Sequence, residues 1–228
     1  KKYISSAEYS YLNDFTKIKD LKKKILICNI NSKRKIILVS FKENIKNTDT
    51  ENLGAKFYDF IKGTQESEFN FNSSSVPNNL KNLIGRFFHG LKLKSYVFEK
   101  YKSKKNKRFI SIEVIGKNLP STKDQIKFKS IEEGTFYTRD LVSEPGNILH
   151  PDEYAKRLNS LKKYGLKIKV YNEKLLKKLG MNTLLGVGQG SIRGSYLVTI
   201  EWNGLKNKSR PLAFVGKGVC FDTGGISL

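Results

Sequence analysis

The residue types best suited to chemistry lie in residues 215–228, which read VGKGVCFDTGGISL. Glycines flank Lys217 and follow Asp222 closely, so the backbone has the freedom to bring the amine and the carboxylate together. A carboxylate is a ligand for hard or borderline cations. An amine can join it only when unprotonated, and since the reference pKa of lysine is about 10.4, burial or the cation must displace that proton. The spacing is therefore compatible with two interpretations: a metal site, or a Lys–Asp ion pair that stabilises a tight loop.

Three other features contain residues that can do chemistry. Residues 185–191, LGVGQGS, lack the GK[ST] ending of a phosphate-binding loop, which favours a structural turn or a loop bordering a site. Arg139 and Asp140 are adjacent opposite charges on a predicted helix, and a surface or interlobe salt bridge is their ordinary role. His89 lies beside an apolar stripe with no second ligand at metal-binding spacing, so we expect a structural histidine.

The elements that must position residues 215–228 alternate between helices and apolar strands over residues 146–228. A helix is predicted from Pro151 to Gly165, a short helix is capped by Asn172, and strands are predicted at 166–170, 196–202 and 211–216. Such alternation predicts a mainly parallel sheet that is covered on both faces. Sites in such folds usually lie in the loops after the carboxyl ends of the strands.

Upstream residues predict a second set of elements. The apolar runs 25–28 and 36–41 indicate neighbouring strands, and residues 48–61 and 80–91 have helical periodicity. Residues 63–79 are predicted to be a surface loop, and strands at 96–98 and 109–114 flank a basic turn. A helix over 128–142 ends before Pro145. We therefore predict an α/β protein with an N-terminal α/β domain (1–126), a connecting helix (127–145) and the beginning of a doubly wound α/β domain (146–228).

The composition indicates a globular protein with an unusual charge. The 228 residues are 38% hydrophobic, and 43 Lys and Arg against 21 Asp and Glu give a net charge of +22. A polyanion such as DNA is one partner that this charge fits. Only seven of the cations are Arg, however, and the excess is spread over the chain, which favours a solvated lysine-rich surface. The densest basic segment is 100–108.

Neither a membrane span nor a secretory signal is visible. No apolar run approaches the roughly 18 to 20 residues that a transmembrane helix requires, and polar residues follow Lys1 and Lys2. Cys28 and Cys220 match no disulfide or metal framework. We therefore expect a reduced, soluble, cytoplasmic protein.

Residues 215–228 closely resemble the signature of the leucyl (cytosol) aminopeptidase family, GKG-x-x-FD-[ST]-GG-IS-[LI]-K. Residues 138–155, TRDLVSEPGNILHPDEYA, resemble the connecting helix and domain entry of that family. Residues 180–191, GMNTLLGVGQGS, and 95–105, SYVFEKYKSKK, resemble two further blocks in the same order. The resemblance is strong from about residue 95 onward and diffuse before it.

This resemblance implies a two-metal aminopeptidase of two α/β lobes, usually a hexamer, that releases N-terminal residues such as leucine from peptides. By the motif, Lys217 would be an amine ligand of one Mn or Zn ion and Asp222 a carboxylate that bridges both. Two such ions polarise the scissile carbonyl and acidify a bridging water. Cys220 stands where members often have Thr, so we expect a small apolar strand residue and not a ligand.

In the family, the electrophilic lysine, the bicarbonate-holding arginine and the remaining ligands follow the part of the motif that ends at Leu228. We therefore expect these 228 residues to be an N-terminal portion that is inactive alone. One alternative is a basic DNA-binding accessory module, which a salt series of DNA affinities would distinguish. Another is a catalytically dead module that assembles with a separate C-terminal half, and mixing the two would then restore activity.

Overall fold

The computed structural model describes residues 3–18, 24–105, 108–205 and 210–221. Two compact units divide the chain, Lys1–Asp140 and Leu141–Leu228. The helices are α1 (Ser6–Ile18), α2 (Asn47–Lys62), α3 (Leu83–Lys94), α4 (Thr122–Ser143), α5 (Pro151–Asn159), α6 (Glu173–Lys178) and α7 (Asn182–Gly188). The strands are β1 (Ile25–Asn29), β2 (Lys35–Val39), β3 (Glu68–Asn72), β4 (Ser111–Ile115), β5 (Lys167–Tyr171) and β6 (Leu197–Glu201). Within the described residues, no helix is both long and apolar enough to cross a membrane.

The core of the first unit lies between α2 and α3. Leu53, Phe57 and Ile61 recur every fourth residue of α2, so they share one face of that helix. They form a buried cluster with Phe87 of α3, whose ring centroid lies 5.4 Å from that of Phe57. Apolar residues of β1 to β4 pack against this cluster. The helices predicted at 48–61 and 80–91 are thus confirmed, the second beginning slightly later.

Two small sheets flank this core. β1 and β2 pair antiparallel with Ile27 opposite Ile37, as the adjacent apolar runs predicted. β3 and β4 pair parallel with Asn70 opposite Glu113. The prediction that residues 63–79 form a surface loop was therefore wrong, because they contain β3. Phe69 and Phe71 face the core in alternation, and the polar residues between and after them obscured the short strand.

The run 96–98 is not a strand, in contrast to its prediction. The side chain of Tyr96 is held by α4, where its hydroxyl donates to Asp140 Oδ1 at 2.8 Å and its ring lies 5.3 Å from that of Phe136. A short apolar run can pack against a helix as well as it can form a strand, so its composition does not distinguish these two structures. The strand predicted at 109–114 is confirmed as β4, shifted by about one residue.

Helices of the second unit begin and end at residues that the sequence predicted. Pro151 occupies the first turn of α5. A short 3₁₀ segment, Ser160–Tyr164, follows α5 and ends at Gly165, whose φ of 82° suits glycine. The side chain of Asn172 accepts a hydrogen bond from the amide of Leu175 at 3.1 Å and so caps α6 as expected.

The sheet of the second unit differs from its prediction. β5 and β6 pair antiparallel, with Lys169 opposite Thr199. Residues 211–216 form no strand, and Leu212, Phe214 and Val215 are 81%, 89% and 99% exposed. Apolar alternation indicates which face of a strand is buried, but it carries no information about strand direction or partner. The mixed α/β class is confirmed, whereas the mainly parallel arrangement is not seen in the described part of this unit.

Candidate functional site

Lys217 lies in the described segment 210–221, where its side chain is exposed. The amide of Val219 donates to the carbonyl oxygen of Lys217 at 3.1 Å, so the backbone turns tightly just after the lysine. No described residue forms an ion pair with the Lys217 amine. Asp222, the second predicted ligand, lies outside the described residues, and its pairing with Lys217 stays a prediction.

The residues that follow Lys217 are seated on the start of α5 and on the turn before it. A Cβ atom placed on Gly218 would lie 2.9 Å from Cε1 of Tyr154, so the tyrosine ring lies against the glycine backbone. A Cβ placed on Gly146 would lie 3.0 Å from Cδ2 of Phe221. The segment thus contacts α5 and the turn before it through two glycine–aromatic pairs.

Cys220 lies between these two contacts. Burial raises the pKa of its thiol, and the negative charge of Asp152 raises it further. The thiol is therefore protonated at neutral pH and donates to the carbonyl of Gly218, with the sulfur 3.7 Å from the oxygen. That hydrogen bond within its own turn agrees with the expected structural role. The expectation that Cys220 belongs to a strand was wrong, because its segment makes no ladder.

A polar cluster at the start of α5 connects three parts of the second unit. His150 precedes the helix, and its Nδ1 contacts Oδ1 of Asp152. The other carboxylate oxygen of Asp152 accepts a hydrogen bond from Arg193 at 3.1 Å. Burial opposes ionisation of Asp152, but its backbone hydrogen bond, His150 and Arg193 together hold its pKa below the ordinary value. The loop after α7 is therefore anchored to the helix that carries Tyr154.

A second ionic group fixes α5 to the end of α4. Arg157 donates to Oε1 of Glu144 at 2.9 Å and to Oε1 of Glu153 at 3.0 Å. The side chain of Glu144 is only 2% exposed, so this pair lies largely out of water. The hydrogen bonds that Arg157 donates to Glu144 and then to Glu153 raise the pKa of Arg157. The turn that contains Gly146 is thereby attached to α5.

The donor atoms of this region are of a type that binds divalent cations, but the described residues supply too few of them. Lys217 presents an amine that no described acid neutralises. The glycines on either side of it have no side chain, so another residue can approach the backbone there closely. Among the described residues, however, no group of three or more His, Cys, Asp or Glu side chains could hold a metal ion. These residues therefore supply at most part of a ligand set.

Arg139 and Asp140 serve the first unit and not a site. Arg139 donates to the carbonyl of Leu93 and lies 5.5 Å from the ring of Tyr96, while Asp140 accepts from the hydroxyl of Tyr96. His89 is buried, with Nδ1 2.8 Å from Glu132 and its ring stacked on Phe128 at 4.8 Å. These contacts, all within the first unit, agree with structural roles for all three predicted residues.

The two remaining predicted segments are also structural where described. Residues 185–188 are the end of α7, so the glycine-rich run is a helix end followed by a turn, in which the amide of Ser191 donates to Gly188 at 3.0 Å. In the basic segment, Arg108 donates to the carbonyls of Lys62 and Glu66 after α2. That guanidinium therefore closes a helix end.

Sequence reasoning missed Tyr154 and Arg193, which contact the segment and its supporting helix. A glycine directly after a lysine, followed by a turn, indicates that another residue packs closely on the glycine. Nothing in the sequence indicates that the partner lies more than 60 residues earlier, because only the tertiary fold places α5 there.

Comparison with known proteins agrees with the resemblance in the motifs. Residues 136–228 match the model of the catalytic domain of the cytosol aminopeptidase family. A probable cytosol aminopeptidase of Brucella melitensis is 46% identical over 146 residues, which are 61% of this chain and 30% of that relative. One from Phytoplasma mali is 46% identical over 153 residues, 64% of this chain and 31% of the relative. The chain thus spans about 30% of the length of these curated relatives.

Solved structures share the fold at low identity. A mutant of tomato leucine aminopeptidase aligns with a TM-score of 0.68 and 17% identity, covering 84% of this chain and 42% of that one. The bottromycin maturation enzyme BotP in complex with Mn aligns with a TM-score of 0.64 and 18% identity, covering 78% of this chain and 39% of that one.

The solved structures share the mixed α/β fold of this chain, and the matched family model is that of a peptidase catalytic domain. More narrowly, residues 136–228 are similar to the catalytic domain of the cytosol aminopeptidase family.

Proposed function

We propose that the protein acts as a metal-dependent aminopeptidase that releases N-terminal amino acids such as leucine from peptides. The observation that carries this proposal is the Lys217 amine, which no described acid neutralises and which lies within the segment that matches the catalytic-domain model. Lys217 would be an amine ligand of one divalent ion, and Asp222 a carboxylate ligand shared by two. When bound, such ions supply Lewis acidity and a hydroxide nucleophile near neutral pH.

The residues of this chain would act as ligands and as supports for ligands. Lys217 must lose its proton to bind a cation, and its exposed position leaves its amine accessible for that exchange.

The finer features of the proposal rest on family relationship. Manganese or zinc is the proposed metal, and the related enzyme BotP has been solved with Mn. A hexamer and a cytoplasmic location are proposed for the same reason, as are the domain boundaries at 126/127 and 145/146. We further propose that these 228 residues alone are inactive, because Lys217 and Asp222 are too few ligands to preorganise two ions.

The test is hydrolysis of leucine p-nitroanilide with added Mn²⁺ or Zn²⁺. We expect the purified 228-residue chain to release no more nitroaniline than metal-containing buffer. In the protein of natural length we expect turnover, and Lys217→Ala should lower kcat/KM at least about 100-fold, because loss of a ligand removes metal-dependent stabilisation of the transition state.

The matched control is Lys156→Ala, which removes a lysine of the same unit whose side chain is 81% exposed. It should leave kcat/KM within about twofold of the unsubstituted protein, since exposed ion pairs contribute little. Robust turnover by the 228-residue chain would show that the inactive state is wrongly proposed. Equal activity of Lys217→Ala and Lys156→Ala would remove Lys217 from the site.

A further inference from the structure

A cavity in the first unit lies at the carboxyl ends of two strands. Val39 is the last residue of β2 and Phe71 the next-to-last residue of β3, and both line the cavity. The helices α2 and α3 contribute residues near their N-termini, namely Thr50, Leu53, Leu83 and Ile84. Ligand sites of α/β folds usually lie at this position, where the loops that follow the strands meet.

The lining of the cavity is apolar. Its volume is about 40 Å³, and none of its described lining residues is charged. Thr50 is the one polar residue of that lining, and its hydroxyl already donates to the carbonyl oxygen of Lys46 at 3.0 Å. Water in such a space would lack hydrogen-bond partners, and apolar cavities in proteins stay dry and bind apolar molecules. The part of a ligand that enters must therefore be uncharged and hydrocarbon-like, because an unpaired polar group is costly to bury.

The cavity is preformed and accessible. The helices α2 and α3 already touch at Gly54 and Gly90, where a Cβ on either glycine would lie 1.9 Å from a carbonyl oxygen of the other helix. The two helices therefore cannot move closer together to fill the space. Phe41, in the loop after β2, also lines the cavity and is 38% exposed, so the cavity reaches the surface at this loop. A ligand can enter there without unfolding of the core.

We propose that this cavity is a binding site for small molecules that present a short aliphatic group, whose polar part stays at the mouth in water. Each methylene group that leaves water for the apolar lining should strengthen binding about fourfold until the cavity is full. No lining residue belongs to 136–228, the part of the chain that matches the catalytic-domain model. The inference is therefore independent of the proposed peptidase activity, and its test requires no turnover.

The experiment is a titration of the protein of natural length with ethanol, n-propanol and n-butanol, followed by the NMR signals of Ile, Leu and Val methyl groups. We expect saturable shifts at Leu53, Leu83 and Ile84, with an affinity that rises about fourfold for each added methylene. Shifts spread evenly over the methyl groups of both units, without saturation, would contradict the site.

The matched ligand control is the butanediol that has a hydroxyl at each end of the same carbon chain. One of its hydroxyls would be buried without a partner, so it should bind at least about tenfold more weakly than n-butanol. Equal affinities of the two alcohols would show that the apolar lining does not select the ligand and would overturn the inference.

A substitution at Val76 tests the location. Val76 lines the cavity and is half-buried, and Val76→Phe places a ring in the space, so the saturable shifts with n-butanol should disappear. Val97→Phe is the matched control, since Val97 is 52% exposed and does not line the cavity, and it should leave binding unchanged. Unchanged binding by a folded Val76→Phe variant contradicts the inference. If that variant does not fold, the comparison of n-butanol with the butanediol in the unsubstituted protein decides the question by itself.

Discussion

Gly54 and Gly90 show how closely single residues are constrained where α2 packs on α3. A Cβ on Gly54 would lie 1.9 Å from the carbonyl oxygen of Phe87. A Cβ on Gly90 would lie 1.9 Å from the carbonyl oxygen of Glu51. Both contacts are with backbone atoms, which cannot rotate away as a side chain can. The two helices therefore approach each other through a glycine on each side.

We predict that Gly54→Ala and Gly90→Ala each lower the free energy of unfolding by about 3 kcal/mol or more, because the helices must separate. Gly134→Ala on α4 is the matched control, since nothing lies within 4 Å of its added methyl group. There the change should raise stability by about 0.5–1 kcal/mol through helix propensity. Urea unfolding followed by circular dichroism measures all three, and equal stabilities would contradict the close approach of α2 and α3.

Single residues also differ in how far their roles could be predicted. Asn172 was predicted as a helix cap because a cap bonds to an amide only a few residues away. His89 was predicted as structural, but its partner Glu132 was not, since 43 residues separate them. Local hydrogen bonds can be inferred from neighbouring residues, whereas distant ones depend on how whole helices pack.

At the scale of elements, α5 is the best-anchored helix near the candidate site. Arg157 bonds both to Glu144 at the end of α4 and to Glu153 on its own helix. Burial makes the Glu144 charge expensive if it is left without its cation. The arginine thus stabilises the turn on which Phe221 rests.

We predict that Arg157→Ala lowers the free energy of unfolding by about 3–5 kcal/mol, because it leaves a largely buried carboxylate without its cation. Lys156→Ala, one residue earlier, removes a lysine that is 81% exposed and should cost at most about 0.5 kcal/mol. Thermal and urea unfolding of both variants would check this. A loss at Arg157 no larger than that at Lys156 would mean that the pair contributes nothing net.

The strand predictions show what elements require beyond local pattern. β5 and β6 were found at their predicted positions, yet their antiparallel pairing was not foreseen. Residues 211–216 have the apolar composition typical of a strand, yet they pair with no other strand among the described residues. A strand exists only when another strand supplies its hydrogen-bond partners, and that partner is not encoded in the run itself.

At the scale of the whole molecule, charge is the dominant feature. In a chain of net charge +22 the positive charges repel one another, which disfavours the compact state. Each favourable contact between a carboxylate and a cation is therefore more important. Four described carboxyl groups have pKa values below their ordinary range: Glu8, Glu66, Asp152 and Glu153. Hydrogen bonds with Lys35 and Arg157 are the leading causes for Glu66 and Glu153, respectively.

We predict that stability falls on acidification. A lowered pKa in the folded state means that the unfolded chain binds more protons below about pH 4.5, so stability is present above that value and is lost as pH falls through the folded pKa. Protonation also adds positive charge to a chain that already has an excess. The melting temperature between pH 6 and pH 3 measures this, and Glu153→Gln should flatten the decline. A melting temperature independent of pH would contradict the lowered values.

The same charge underlies the alternative that the protein binds DNA, which stays a prediction. Where the basic segment is described, Arg108 bonds to the backbone after α2, so its guanidinium already has a structural role. Lys102 lies 3.7 Å from Glu99. These contacts favour the interpretation of the segment as an ordinary basic turn.

The sequence by itself determined the helix periods, the cap at Asn172, the proline in the first turn of α5, and the resemblance of residues 136–228 to the cytosol aminopeptidase family. Those features depend on neighbours within a few positions or on an ordered run of residue types. Only the tertiary structure decided that β3 lies in an apparently polar segment, that β5 and β6 run antiparallel, and that the ring of Tyr154 lies against Gly218. Each of these depends on contacts between segments far apart in the chain, which form only when the elements pack and exclude water.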